Sequence, residues 1–314
     1  MALTDIRNNT NTGASILAKL KNKAKEANIN YQQCLQLFFQ EEFLRRLSKS
    51  PYVKNFVLKG GLFIYTLTNF QSRTTIDIDF TARRIDNTPE ILDGVISGII
   101  SVPTGLNDVV LLEAAKCRPI AIQREYHGLT CQITGKINKV RVPFSIDIGV
   151  GDVIFPKPEK RNIQTQLEGY DTPKIYTYSL ESTVAEKFDA ILQRFELTGR
   201  MKDFYDIFYL AQSFDFDGCK LGDALQKTLH NRKTGYDKKS FTRLLELADN
   251  HDIQVRWRYF QKTINQTELS LPEVMHLLDK FLHPVYDALV SGNTATGKWN
   301  AAGLKWEYPS KAQT

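Results

Sequence analysis

Two aspartates, Asp77 and Asp79, have the spacing in this sequence that most clearly suggests chemistry. They belong to Ile76-Asp77-Ile78-Asp79-Phe80, in which apolar and acidic residues alternate. Successive side chains of a strand point to opposite faces, so both carboxylates would project from one face, about 6–7 Å apart along the strand. Such close carboxylates repel each other unless a cation lies between them, and their oxygen atoms are ligands that suit Mg2+ or Mn2+. We therefore predict a metal site on this strand.

Two glycines lie upstream of the acids, in Lys59-Gly60-Gly61. Glycine lets the backbone turn tightly and approach a ligand closely. The segment Leu62–Phe70 that follows is predicted to be a short helix, whose N-terminus would favour a phosphate group. A phosphate-binding turn followed by a metal-binding Asp-x-Asp strand provides the two features that nucleotidyl transfer requires.

A third acid, Asp147, lies on a later stretch with the same pattern. In Phe144-Ser145-Ile146-Asp147-Ile148 the apolar side chains would face one way and Asp147 the other. If this strand lies beside Ile76–Phe80, Asp147 joins the two earlier acids, and three carboxylates on neighbouring strands are what a two-metal phosphoryl-transfer site needs. The alternative is an aspartate that simply faces solvent.

The order of these motifs resembles that of the polymerase-beta-like nucleotidyltransferase superfamily. The motif sequences are more specifically similar to those of the AbiEii/AbiGii-type nucleotidyltransferase toxins of bacterial abortive-infection and toxin–antitoxin systems. The similar residues are Lys59-Gly60-Gly61 and Arg73-x-Thr75-x-Asp77-Ile78-Asp79-Phe80. The resemblance implies a nucleoside triphosphate (NTP) substrate and Mg2+ or Mn2+. The implied nucleotide-binding residues are Lys59, Gly60, Gly61, Arg73 and Thr75, and the implied metal ligands are Asp77, Asp79 and Asp147.

A lysine on a later helix is the next candidate. The pattern predicts a helix over Leu180–Arg194, capped by Ser179, and places Lys187 at the edge of its apolar face. A lysine in that position needs an anion. The candidates are the triphosphate of the nucleotide and an internal carboxylate, which could be Glu186, Asp189 or Asp203.

Two acids of the following segment, Asp203 and Asp206, share one face of a predicted helix, although Asp203 could also simply cap it. Here the resemblance extends further along the chain. Tyr178-Ser179-Leu180-Glu181, Ala185-Glu186-Lys187 and Arg200-x-Lys202-Asp203-x-Tyr205-Asp206 are similar to the later motifs of the AbiEii/AbiGii-type family. In that family these motifs imply that Lys187 binds the nucleotide and that Asp203 is needed for activity, with Asp206 as a further nucleotide-binding candidate.

The elements that must position these residues are predicted from periodicity. Helices are expected over Ser15–Ala27 and Tyr31–Ser48, and strands over Ile120–Tyr126, Leu129–Ile137 and Val140–Ile148. We predict an α+β fold: a polymerase-beta-like nucleotidyltransferase mixed sheet with flanking helices over residues 1–160, and a mainly helical C-terminal domain over 161–314 that closes the nucleotide site. Residues Ser291–Thr314 are expected to form a loosely held tail.

Composition narrows the class of protein. The chain has 314 residues and a net charge of +6, which permits a polyanionic partner without requiring one. Its four cysteines form no Cys-x-x-Cys pair and are expected to be buried thiols in a reducing compartment. No signal peptide and no membrane-spanning run is apparent, so a cytoplasmic protein is expected.

The resemblance to the AbiEii/AbiGii-type family implies that the protein is a bacterial toxin. The resemblance implies that it transfers a nucleotide from an NTP to an acceptor, the 3′ end of a tRNA, and that a cognate antitoxin counteracts it. Two alternatives stay open: a metal-dependent glycosyltransferase that uses the Asp-x-Asp motif, and a non-catalytic module that binds RNA or an antitoxin. Arg256, Arg258 and Tyr259 could contact single-stranded RNA. They could equally be the exposed side of a packed helix.

Overall fold

The computed structural model describes residues 3–75, 77–106, 109–120, 128–195, 199–264 and 268–308, with side chains from residue 12 onward. The chain divides into two compact units. The first unit contains Met1–Gly151 and Glu159–Thr177, and the second contains Asp152–Pro158 and Tyr178–Thr314. Within the described residues, no helix is both long enough and apolar enough to cross a membrane.

The first unit is built from four helices and eight strands in the part of the chain that the structure describes. The helices are α1 (Leu3–Glu26), α2 (Tyr31–Lys49), α3 (Gly60–Leu67) and α4 (Pro89–Ile100). The strands are β1 (Phe56–Lys59), β2 (Ile78–Ala82), β3 (Leu111–Ala114), β4 (Arg118–Pro119), β5 (Leu129–Ile137), β6 (Val140–Gly149), β7 (Glu159–Asn162) and β8 (Lys174–Thr177).

These eight strands form one mixed sheet. Seven of them follow the order β3-β5-β6-β2-β1-β8-β7, and β4 pairs with β5. The pairs β2–β6 and β1–β8 are parallel, whereas β1–β2 and β5–β6 are antiparallel. The predicted mixed sheet with flanking helices is therefore confirmed, as are the bounds predicted for the strand over Leu129–Ile137.

Several predicted bounds in this unit are wrong by a few residues. Strand β2 begins at Ile78, so Asp77 precedes it, and Ile76 lies outside the described residues. Helix α3 begins at Gly60 rather than Leu62, so the glycine pair forms its first turn. The predicted strand over 120–126 lies outside the described residues apart from Ile120, which belongs to no strand.

Helix α2 covers the apolar face of the sheet. The ring of Phe80 on β2 lies 6.3 Å from that of Phe43 and 5.5 Å from that of Phe56. Further along, a methyl group added to Gly135 on β5 would overlap the ring of Phe39. The absence of a side chain at Gly135 thus lets α2 pack directly onto the hairpin that carries Asp147.

Helix α2 also buries four charged side chains, which its apolar pattern did not predict. Arg45 contacts Glu41 at 3.3 Å and Glu42 at 3.2 Å, and Arg46 contacts Glu42 at 2.9 Å. All four side chains are at most 3% exposed. Burial raises the pKa of Glu41 to about 8, although Arg45 acts in the opposite direction. Because burying an unpaired charge is costly, the two arginines can enter the interior only beside these carboxyl groups.

The second unit is mainly helical, as predicted for the C-terminal region. Its helices are α5 (Leu180–Leu192), α6 (Met201–Ser213), α7 (Gly218–Asn231), α8 (Ser240–Glu246), α9 (His251–Thr263) and α10 (Leu271–Val290). Three short strands, β9 (Phe216–Asp217), β10 (Lys298–Asn300) and β11 (Lys305–Glu307), form a separate small sheet.

The prediction of a loose tail after Val290 is wrong for residues up to 308. Strands β10 and β11 pair with each other, and β10 also pairs with β9. Trp299 is 1% exposed and donates its ring N–H to the carbonyl of Ala211 at 2.7 Å. An apolar anchor with a satisfied N–H holds this segment on the helices. Residues 309–314 lie outside the described residues.

The prediction of four buried thiols is also wrong. Cys117 and Cys131 form a disulfide, because β4 pairs with β5 and brings their Cα atoms to 4.2 Å. Cys34 is a buried thiol as expected, whereas Cys219 is exposed. The sequence did not predict this disulfide, because the two cysteines are 14 residues apart and meet only through the pairing of β4 with β5.

Candidate active site

The central feature of the first unit is a pair of aspartates on neighbouring parallel strands. Asp79 on β2 and Asp147 on β6 are direct partners in the register of the two strands. Direct partners project from the same face, and adjacent strands lie about 4.8 Å apart. The Asp147 strand therefore lies beside the Asp-x-Asp strand, which is the condition under which Asp147 was expected to join the earlier acids.

The alternating sequence on both strands fixes the face from which these carboxylates project. Ile78 and Phe80 flank Asp79, and Ile146 and Ile148 flank Asp147, and all four are fully buried. Both aspartates are only half-buried on the opposite face. A ligand can therefore reach their oxygen atoms without disturbing the core.

Asp77 is half-buried and lies immediately before β2, two residues ahead of Asp79. The strand period would place it on the same face, but Asp77 is not part of the ladder that fixes the other two acids. Across the described residues, no three acidic, histidine or cysteine side chains converge closely enough to enclose a metal ion by themselves. Of the three predicted metal ligands, Asp79 and Asp147 are thus the two that strand pairing holds side by side.

A cation lies on the other side of Asp79. Lys59, the last residue of β1, is the direct antiparallel partner of Asp79. Lys59, Asp79 and Asp147 therefore form a row across three adjacent strands, on one face of the sheet. The predicted nucleotide-binding lysine and the predicted metal ligands share this face.

The glycine turn packs directly against Asp79. Gly60 has a φ of +70°, a conformation that favours glycine, and a methyl group there would lie well under 3.0 Å from Asp79 Oδ2. Any larger residue would therefore displace the Asp79 carboxylate. The backbone at the start of α3 and the carboxylate of Asp79 are therefore in direct contact.

The second glycine contacts the remaining predicted nucleotide-binding residues. A methyl group at Gly61 would stand 2.7 Å from Thr75 Oγ1 and 3.4 Å from Arg73 Nη2. Thr75 and Arg73 are half-buried beside the first turn of α3. The structure thus brings Lys59, Gly60, Gly61, Arg73 and Thr75 together with Asp79.

The other predicted residues form a buried ion cluster in the second unit. Lys187 on α5 contacts Asp203 Oδ1 at 3.1 Å and Asp206 Oδ2 at 2.5 Å, both on α6. Arg200 also contacts Asp203. The two aspartates are at most 1% exposed and the side chain of Lys187 is 10% exposed.

This cluster settles which carboxylates accompany Lys187. Of the candidate internal partners, Asp203 contacts Lys187, whereas Glu186 and Asp189 contact Arg232, at 2.9 Å and 3.1 Å. Asp203 does not cap α6 with its side chain, since that helix has no side-chain cap. The helical spacing of Asp203 and Asp206 serves to present both carboxylates to one ammonium group.

The charges of the cluster shift its proton equilibria. Burial by itself would raise the pKa of Asp203, but the positive charges of Lys187 and Arg200 outweigh burial and lower this pKa below its ordinary value. Asp203 is therefore ionised at neutral pH. A buried carboxylate of this kind depends on its cations for stability.

Sequence reasoning missed a second ion cluster in the same unit. Arg232 contacts Asp152 at 2.8 Å in addition to Glu186 and Asp189, and Thr234 also donates to Asp189. Burial raises the pKa of Asp189 even though Thr234 and Arg232 act in the opposite direction. No sequence spacing connects Arg232 with these acids, because the contacts are made between distant segments of the chain.

Comparisons with known proteins give one family. The family model described as "Nucleotidyl transferase AbiEii toxin, Type IV TA system" matches residues 42–283, well over half of the 314 residues. This range contains every candidate residue named above. No curated protein matches the chain at a significant level.

Two solved structures from Helicobacter pylori are similar to this chain. One is JHP933, with 16% identity, a TM-score of 0.47 and coverage of 84% of this chain and 95% of the other. The second, described as a "putative nucleotidyltransferase", has the same identity and TM-score, and coverage of 84% and 99%. Similarity at this level is too low to support an argument about function.

Proposed function

Because this chain belongs to the AbiEii nucleotidyl transferase toxin family of type IV toxin–antitoxin systems, we propose that it transfers a nucleoside monophosphate from an NTP to the 3′ end of a tRNA. The metal is Mg2+ or Mn2+, and a cognate antitoxin counteracts the toxin. The observation that carries the proposal is the in-register pair of Asp79 and Asp147, in which Asp79 packs against Gly60.

The donor atoms at the acid pair fit the proposed metal. Mg2+ is usually held by one or two carboxylates, with waters and substrate phosphates completing its shell. Asp79 and Asp147 supply two such carboxylates on one accessible face, and Asp77 is the candidate for a third. When bound, the metal supplies positive charge that stabilises the transferring phosphoryl group.

The chain's own groups have separate roles in the proposed transfer. The first backbone N–H groups of α3, at Gly60 and Gly61, point toward the phosphates, and Lys59, Arg73 and Thr75 add donors beside them. Asp147 accepts the proton of the acceptor hydroxyl. The hydroxyl oxygen then bonds to the α-phosphorus, the bond from that phosphorus to the bridging oxygen breaks, and pyrophosphate leaves.

For Lys187, Asp203 and Asp206 the proposal rests on the family alone. The family resemblance implies that Lys187 binds nucleotide and that Asp203 is needed for activity. Within the second unit these residues satisfy one another, so a structural role must be separated from a role in nucleotide binding by experiment.

The proposed transfer is tested by incubating the protein with total tRNA, Mg2+ and each NTP in turn, labelled at the α-phosphate. We expect label to appear in the tRNA band with at least one NTP, and to be lost when EDTA is added. Asp79→Asn and Asp147→Asn should abolish labelling. Asp86→Asn, which changes an exposed aspartate after β2, is the matched control and should label tRNA as the wild type does.

Two results would contradict the proposal. Absence of label with every NTP would favour the non-catalytic alternative, in which the chain only binds RNA or an antitoxin. Wild-type labelling by folded Asp79→Asn would show that this carboxylate does not hold the metal. The glycosyltransferase alternative has no support from the family comparison.

A further inference from the structure

One face of the hairpin formed by β5 and β6 is open to solvent. The two strands pair over their whole length. On one face their apolar residues are buried, including Cys131, Ile133 and Ile146. On the other face Gln132, Arg141 and Pro143 are exposed. Because antiparallel sheets commonly bury one face and solvate the other, this open face needs no partner for stability.

The open face is continuous with the acid pair. Thr130 is the direct partner of Asp147, and Gln132 is the partner of Ser145, to which it donates a hydrogen bond at 2.9 Å. The face ends at Arg141, six residues before Asp147 on β6, which is about 20 Å along a strand. Hydrogen-bonding side chains thus line a path that leads to Asp147, which is proposed to accept the proton of the acceptor hydroxyl.

The positive charges of this face flank the path. Arg118 on β4 is exposed and is the direct partner of Thr130, so it lies in the same row as Asp147. Lys136 and Arg141 are partners at the far end. The neighbouring acid is Glu113, which contacts Lys136 and lies 3.8 Å from Arg141.

The contact between Glu113 and Arg141 does not neutralise this end of the face. Both side chains are more than half exposed, and ion pairs in solvent contribute little free energy. A phosphate group could therefore replace Glu113 as the partner of Arg141 at small cost. Apart from the catalytic carboxylates, the described face carries three cations and one anion, which complements a polyanion rather than an acidic protein surface.

We propose that this face binds the single-stranded 3′ end of the acceptor RNA, with Arg118 contacting a phosphate next to the reacting hydroxyl and Arg141 contacting one further upstream. The inference rests on the proposed function, because the acceptor hydroxyl must reach Asp147 from the side on which Asp147 projects. Unpaired RNA ends expose base edges and 2′-hydroxyls, which match the donors and acceptors of Thr130, Gln132 and Ser145. In this arrangement Lys59 and Arg118 lie on opposite sides of the acid pair, so the triphosphate and the acceptor approach from opposite directions.

The test compares Arg118→Ala, Arg141→Ala and the double variant with Arg83→Ala. Arg83 is an exposed arginine that follows β2 and belongs to none of the strands β4, β5 and β6. Its variant has the same change in net charge as each single variant. Binding of fluorescent total tRNA is measured by anisotropy over a range of salt concentrations, and NTP binding is measured separately. KM for tRNA and kcat are then obtained with the labelled NTP.

We expect each single variant to bind tRNA about tenfold more weakly, and the salt dependence of log Kd to fall by about 0.7 for each arginine removed. KM for tRNA should rise while NTP binding stays unchanged. Arg83→Ala should behave as the wild type.

Three results would overturn the proposed RNA surface: wild-type tRNA binding and salt dependence in the double variant, an equal loss in Arg83→Ala, or no tRNA binding by the wild type. Failure of the proposed function gives a different result. In that case the wild type would bind tRNA through Arg118 and Arg141 but would transfer no label to it.

Discussion

The carboxylate of Asp79 lies directly against the backbone of Gly60, so closely that a methyl group at Gly60 would overlap Asp79 Oδ2. Gly60 also has a φ of +70°, which other residues adopt only at a cost. A substitution at Gly60, in the proposed phosphate-binding turn, would therefore also move the carboxylate of Asp79, which is proposed to hold the metal. This relationship explains why a glycine occupies the first position of α3.

Gly60→Ala should abolish nucleotidyl transfer, because the new methyl group displaces the Asp79 carboxylate. The left-handed backbone should also cost about 1–2 kcal/mol of stability. The matched control is Gly94→Ala, since Gly94 is exposed in the middle of α4 and a methyl group there meets no neighbour within 4 Å. That variant should gain roughly 0.5–1 kcal/mol and keep full activity. Thermal melts and label transfer measure both effects, and an active Gly60→Ala protein would contradict the proposed arrangement.

Asp79→Ala should remove the metal dependence of nucleotide binding while the fold survives, because Asp79 projects away from the core formed by Ile78 and Phe80. A ligand that binds only the folded state raises its melting temperature. For the wild type, Mg2+ added together with NTP should raise the melting temperature more than NTP alone does. For Asp79→Ala this additional increase should vanish, and its persistence would show that the metal is held elsewhere.

Lys187→Ala should destabilise the nucleotide-free protein by about 3 kcal/mol or more, because it leaves Asp203 and Asp206 buried without their shared ammonium group. Lys202→Ala, which removes an exposed lysine from the start of α6, is the control and should leave stability unchanged. Denaturant unfolding measures the stability, and direct titration with NTP measures nucleotide affinity. A large loss of stability with unchanged affinity would make Lys187 a structural residue only, whereas unchanged stability would contradict the cluster described for the second unit.

The stability of the wild type should fall in acid partly through Asp203. Its pKa in the folded state is lowered below the ordinary value of 3.8, so its stabilising contribution is present above pH 3.8 and is lost as the pH falls through the folded-state pKa. In Lys187→Ala, loss of the ammonium removes one of the positive charges that lower the pKa of Asp203, so this pKa should be higher than in the wild type, while Arg200 still lowers it. The stability deficit of this variant should therefore shrink as the pH is lowered from about 7 to about 3. Unfolding curves at several pH values measure the deficit, and a constant deficit would argue against a charge effect.

Local sequence determined the faces and turns of the site. The alternation around Asp79 and around Asp147 fixed which way each carboxylate points, because the strand period of two needs no distant contact. Gly60-Gly61 likewise marked the turn, since few other residues tolerate its conformation. The capping of α5 by Ser179 followed from sequence in the same way.

Tertiary structure decided which of these residues meet. The register that places Asp147 beside Asp79 pairs strands far apart in the chain. Burial of one face of both strands favours this register, because a slip by one residue would expose the apolar side chains. The partners of Lys187 were also decided by packing, because Asp203 and Asp206 come from the next helix rather than from its own. The burial of charged side chains on α2 and the Cys117–Cys131 disulfide were likewise decided by the tertiary structure. Side-chain types and their spacing describe one element at a time, whereas ion pairs and disulfides form between elements that only the complete fold brings together.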